Sequence, residues 1–195
     1  LASRTRTVDA NQPLENMVAQ VQAHLEKNPT DGRGWSVLAP VLARLGRYDD
    51  AVRAYRNAIS YAGDSAERRS DLGEALAGSA GGVVTAEAKA EFERAIAQGA
   101  DEPKATYFLG LAAEQDGRPA DAAAIWRSLL AKAPEDAPWR PLLQAALERW
   151  ERDEQTAYGA LESISDATER LRALFHLIAH HNKTHVIYSE LLKAS

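Results

Sequence analysis

The chain has 195 residues, with 23 Lys and Arg against 28 Asp and Glu, a net charge of −5 and no cysteine. This composition excludes disulfides, thiolate zinc sites and thiol catalysis, and it argues against nucleic-acid binding, which calls for a basic face. The length is enough for a sizeable core, and no apolar run approaches the roughly 20 residues a membrane-spanning helix needs.

In chain order, LASRTRTVDANQ is polar and is predicted to be a flexible leader over 1–12. Any membrane anchoring is expected only through a segment outside this chain. From 13 to 28, Leu14, Met17, Val18, Val21 and Leu25 recur at helical spacing, which predicts an amphipathic helix that Pro29 ends.

The chain then repeats itself. Trp35, Ala39, Gly46, Arg47, Ala51 and Tyr55 align, at a shift of 71, with Thr106, Gly110, Gly117, Arg118, Ala122 and Trp126. That shift is two periods of 34 plus three residues, and about 34 is the period of the tetratricopeptide repeat (TPR), a helix–turn–helix unit. Leu72, Gly73, Ala88, Phe92 and Ala95 supply the middle copy, and the three extra residues fall between Gly73 and Ala88. Gly78, Gly81 and Gly82 lie in that stretch, so a lengthened turn is predicted there. Small residues at Ala39, Gly73 and Gly110, facing Ala51, Ala88 and Ala122, allow close helix pairing. The bulky Tyr55, Phe92 and Trp126 fill the space between repeats, and Pro134 stops the third unit.

The predicted fold is all-α, a right-handed superhelical TPR solenoid of three repeats with helical caps. The TPR domain spans 13–150, as a half repeat 13–31, repeats 32–65, 66–102 and 103–136, and a capping helix 137–150. Beyond it, 151–195 forms a helical C-terminal extension, with helices expected in EQTAYGALESI, ATERLRALFHLIAHH and THVIYSELLKA. Asp166 is the expected N-cap of the second, with Glu169 three residues on.

Sites of chemistry are sparse. GSAGG at 78–82 has no following Lys-Ser/Thr and is a turn, not a phosphate loop. His176 and His180 share a helix face and are the weak metal candidates, but HLIAH lacks a glutamate base and one pair is half of a usual zinc shell. Packing or solvation explains them more simply, and neither an enzyme nor a cofactor is expected.

The repeat register points to binding. The inner faces of the first helices carry Arg33, Ser36, Pro40 and Arg44, then Ser70 and Glu74, then Lys104, Tyr107, Leu111 and Glu114. This mixture of apolar and charged residues suits a helix or an extended peptide. Ser36 and Pro40 stand where carboxylate-clamping TPR domains place Asn and Lys, so a two-carboxylate clamp is not expected.

A narrower resemblance rests on particular stretches. MVAQVQAHLEKNPTDGRGWSVLAPVLARLGRYDDAVRAYRNAI, TAEAKAEFERAIAQ and LGLAAEQDGRPADAAAIWRSLLAKAPEDAPW resemble the periplasmic TPR part of the CcmI/CycH family of cytochrome c biogenesis, over about 13–148. The resemblance implies a periplasmic domain of an inner-membrane-anchored protein. Its partners would be apocytochrome c, held chiefly by its C-terminal helix, and components of the haem-ligation complex. The alternative is a generic TPR scaffold in another cell-envelope assembly. The tail from 153 onward departs from the family's pattern.

Overall fold

The structure is a computed structural model that describes residues 12–99 and 102–181. All but the last residue of the expected leader, and the expected helix in THVIYSELLKA, lie outside those residues. The chain divides after Ala100 into two compact units.

The first unit contains α1 (Gln12–Lys27), α2 (Gly32–Arg44), α3 (Tyr48–Ala62), α4 (Ala66–Ser79) and α5 (Ala86–Ala97). Their ends are written locally. Asp31 caps α2 by accepting from the Gly34 N–H at 3.0 Å, and Ser65 and Thr85 cap α4 and α5 through the N–H groups of Arg68 and Ala88. After α2 the chain reverses at Gly46, whose φ of 73° is the left-handed region glycine tolerates. There the Arg47 N–H reaches back to the Leu42 carbonyl at 2.9 Å, closing the helix end as in a Schellman motif.

α2 pairs with α3, and α4 with α5. The core between them holds Leu38, Leu42, Ala51 and Tyr55, joined by Val18 and Leu25 of α1 and Leu72 of α4. Close approach is possible because the residues at the crossing points are small. A Cβ on Gly73 would fall 2.6 Å from the Phe92 ring, well inside van der Waals contact. Gly78 departs from expectation. It lies inside α4, not in the turn, and faces the Tyr48 ring, which a Cβ there would meet at 2.6 Å. The lengthened turn instead uses Gly81 and Gly82, at φ 67° and 93°.

The second unit contains α6 (Pro103–Gln115), α7 (Pro119–Lys132), α8 (Arg140–Glu162) and α9 (Ala167–His181). Proline in the first turn starts α6 and α7, where its missing N–H costs nothing. Gly117 repeats the role of Gly46, with the Arg118 N–H bonded to the Ala113 carbonyl at 2.8 Å. Trp126, 1% exposed, packs on Gly110, and its indole N–H donates to the Tyr107 carbonyl at 3.1 Å. Leu143, Ala146 and Leu147 of α8 complete this core. The Arg140 guanidinium caps the end of α7 by donating to the carbonyls of Leu130 and Ala133.

α8 differs from the expected capping helix, which was to end near 150. It runs on to Glu162 without a break, because the residues after Trp150 include no proline and are mostly good helix formers. Most residues of this second half are exposed, so the helix continues after the packing register has stopped. Asp166 caps α9 as expected, accepting from the Glu169 N–H at 2.7 Å. No helix among the described residues is long and apolar enough to cross a membrane.

Candidate functional site

In the first unit, α2 carries an exposed row of Arg33, Val37, Pro40 and Arg44. Their spacing of four, three and four residues keeps them on one face. Val37 is 64% exposed, and it was not among the residues the repeat register singled out. Ser36, one position off this row, is half-buried and donates its hydroxyl to the Gly32 carbonyl at 2.8 Å. Pro40 sits inside the helix. It has no N–H for the Ser36 carbonyl, so that oxygen lacks its usual helical donor.

The guanidinium groups around this row behave differently from those on it. Arg47 bonds Asp50 at 2.7 Å and Glu15 at 3.4 Å. Arg69 bonds Asp64 at 2.7 Å and the buried Glu91 at 2.8 Å. Arg53, Arg56 and Arg94 pair with Asp50, Glu87 and Glu91, and Arg68 donates to the Gly63 carbonyl. Arg33 and Arg44 have no side-chain partner among the described residues.

On α4 the expected pair separates. Glu74 is exposed, but Ser70 is only 1% exposed. This corrects the expectation that Ser70 lines an open face: its hydroxyl lies on the core side of the helix. Between them Asp71 lies close enough to the Tyr55 hydroxyl to act on it electrostatically. Burial pushes the Tyr55 phenol well above its ordinary range, and the carboxylates of Asp71 and Glu74 push it the same way. Tyr55 was expected only to fill space; its phenol is also held protonated by burial and its acidic neighbours.

In the second unit Lys104, Tyr107, Leu111 and Glu114 share α6, and all four are half-buried. Tyr107 and Leu111 pack partly on the unit's own core. The Tyr107 ring stacks on Trp126 at 6.0 Å and meets Phe108 edge-on at 5.3 Å. Burial raises its phenol too, with Glu114 adding and Arg149 opposing. Glu114 is bound by Arg149 of α8 at 2.6 Å, a partner 35 residues away that helical spacing within one element could not reveal. Next to it, Arg127 lies over the Trp150 ring at 4.6 Å.

Among the described residues no three His, Asp or Glu side chains come together as a metal site. His176 and His180 fall on α9, but their side chains lie outside the described residues.

These faces are set in repeats of a known kind. Residues 3–140 match the family described as the cytochrome c-type biogenesis protein H TPR domain. The chain belongs to this family. The match ends at the first residue of α8, so most of α8 and all of α9 lie beyond it. The chain is similar to the cytochrome c-type biogenesis protein CycH of Bradyrhizobium diazoefficiens, with 70% identity over 155 residues, covering 80% of this chain and 40% of that protein. It is also similar to CycH of Rhizobium meliloti, with 41% identity over 138 residues, 71% of this chain and 36% of that protein. The chain therefore spans well under half the length of these relatives. The crystal structure of MamA shares the fold, with a TM-score of 0.51 at 18% identity, covering 78% of this chain and 99% of that one.

Proposed function

We propose that this TPR domain holds an unfolded client polypeptide during c-type cytochrome maturation. The client is apocytochrome c, gripped chiefly by its C-terminal helix and passed on to the haem-ligation complex. The protein would act in the periplasm, anchored to the inner membrane through a part outside this chain.

The observation that carries this reading is the exposed α2 row, in a chain belonging to the cytochrome c biogenesis TPR family. Val37 and Pro40 offer apolar area that the fold does not use. Arg33 and Arg44 keep their charge available for a partner. A helix laid on such a face gains from buried apolar area and takes its register from the charges. On α6, Tyr107 and Leu111 offer a second half-buried apolar face of the same kind.

The test is a calorimetric titration with a synthetic peptide of an apocytochrome c C-terminal helix, using a scrambled peptide of equal charge as control. Saturable binding of the native peptide alone supports the reading. If the folded protein binds neither peptide, the holding role is wrong, and a scaffold for folded partners takes its place.

A further inference from the structure

The α1–α2 face carries a more specific feature. Met17 and Val37 are the two most exposed large hydrophobic residues described, at 60% and 64%. They stand on facing helices beside a cleft of about 380 Å³ lined by Gln20, Val21, His24, Arg33, Gly34 and Val37. Gly34 forms the floor. A Cβ there would touch Leu25 of α1 at 2.8 Å, so glycine lets the two helices approach.

The charged groups nearest this cleft have different partners. Asp31, the nearest acid in sequence to Arg33, is already engaged: it caps α2 and accepts from the His24 ring at 3.0 Å. The Gly34 N–H and then the His24 bond hold its carboxyl below the ordinary range. Arg33 and Arg44, which form no ion pair among the described residues, stand at the two ends of the exposed α2 row. They are 11 residues apart, or roughly 16 Å along α2 at 1.5 Å per residue. Of the unit's other described arginines, Arg47, Arg53, Arg56, Arg69 and Arg94 pair with carboxylates, and Arg68 bonds a carbonyl. Arg33 and Arg44 can therefore meet acidic groups on a partner.

The repeat register gives this face its shape. α1 corresponds to α3, α5 and α7, the second helices of the repeats, each of which has a first helix packed against it as a hairpin partner. Among the described residues α1 packs chiefly on α2, and Val18 and Leu25 also reach the core that α3 shares. The notch between α1 and α2 is the position at which TPR stacking places a further helix.

We propose that this notch is the anchoring subsite for an amphipathic helix of a client, one whose apolar side chains enter between Met17, Val21 and Val37 and whose acidic residues, about three turns apart, meet Arg33 and Arg44. The proposal rests on the peptide-holding reading above and narrows it to one subsite and one charge pattern.

The test uses the full chain, the apocytochrome c C-terminal peptide, and a version of that peptide with its acidic residues changed to lysine. Two variants are compared with the parent: Arg33→Glu/Arg44→Glu together, and Val37→Ser. All three positions are exposed, so folding is checked by circular dichroism and melting temperature. The charge-reversed variant should lose on the order of tenfold in affinity for the native peptide, and it should recover part of that loss with the lysine peptide. Val37→Ser should weaken binding several-fold, and added salt should weaken the parent complex. If the parent binds and neither variant changes the affinity, the subsite is refuted while the holding role stands. If the variants lose melting temperature but keep affinity, this face serves the fold and not the client, and the proposal is overturned. If the parent itself binds no peptide, the holding role fails, and the subsite fails with it.

Discussion

Replacing Gly110 with alanine tests the tightest helix contact in the second unit. The added methyl would lie 2.2 Å from Nε1 of Trp126 and 2.7 Å from Cδ1 and Cε2, against the roughly 3.5–4.0 Å of a normal contact. Trp126 is 1% exposed and stacked on Tyr107, so the ring has nowhere to swing. Either α6 and α7 separate or the indole leaves its bond to the Tyr107 carbonyl. Overpacking of this kind costs about 1–3 kcal/mol, and losing the buried hydrogen bond adds about 1 kcal/mol. Alanine's better helix propensity returns about 1 kcal/mol. The expected net loss is about 1–3 kcal/mol. Gly159 is the matched control. It lies within α8 with nothing inside 4 Å of an added Cβ, so Gly159→Ala should gain about 0.5–1 kcal/mol. Urea unfolding followed by tryptophan fluorescence and circular dichroism measures both, with an unchanged slope required for the comparison. Near-ultraviolet dichroism reports whether the Trp126 environment has moved. If Gly110→Ala proves as stable as the parent while Gly159→Ala gains, the close α6–α7 approach is wrong.

Other expectations rest on the polar contacts. Arg69→Met strips the buried Glu91, whose side chain is 7% exposed, of its inner partner, and should cost about 1–3 kcal/mol at neutral pH. Arg69 also does most to hold the Asp64 carboxyl below its ordinary value. That contribution is present above about pH 4 and is lost as pH falls through the lowered folded value, so the gap between variant and parent should narrow in acid melts; a gap constant down to pH 2 would count against the pairing. Tyr55→Phe removes a phenol whose proton the fold holds above its ordinary range. The stabilisation is complete below about pH 10 and is lost as pH rises beyond it, so the variant's melting temperature should decline less steeply in alkali than the parent's; identical slopes would refute the raised Tyr55 phenol. Leu111→Ala and Tyr107→Ala should each weaken the peptide complex. Tyr107→Ala should also lower the melting temperature, since its ring is stacked on Trp126, and unchanged affinity in both would remove α6 from the binding face.

Local signals made the helical hairpins readable in advance. The glycines at 46 and 117 and the cap at Asp166 act within a few residues of themselves. Their conformational effects are nearly independent of the rest of the chain. The small–large pattern at Gly73, Phe92, Gly110 and Trp126 was legible for the same reason: a fixed period places those residues at the same crossing in each repeat. The exposed row of α2 was readable in part, since Arg33, Pro40 and Arg44 follow from the register.

What only the tertiary structure decided depends on residues distant in sequence. The register placed Ser70 on an open face, yet the packing around α4 buries it. The packing of Tyr48 put Gly78 inside a helix. The bonds from Arg69 to Glu91 and from Arg149 to Glu114 span 22 and 35 residues. They distinguish engaged charges from available ones, which composition cannot do. Helical periodicity says which residues share a face; only the neighbouring helices say whether that face is covered, because burial and ion pairing belong to pairs of elements. The family and the repeat were therefore written in the sequence, and that Arg33 and Arg44 pair with no acid among the described residues appeared only once the helices were packed.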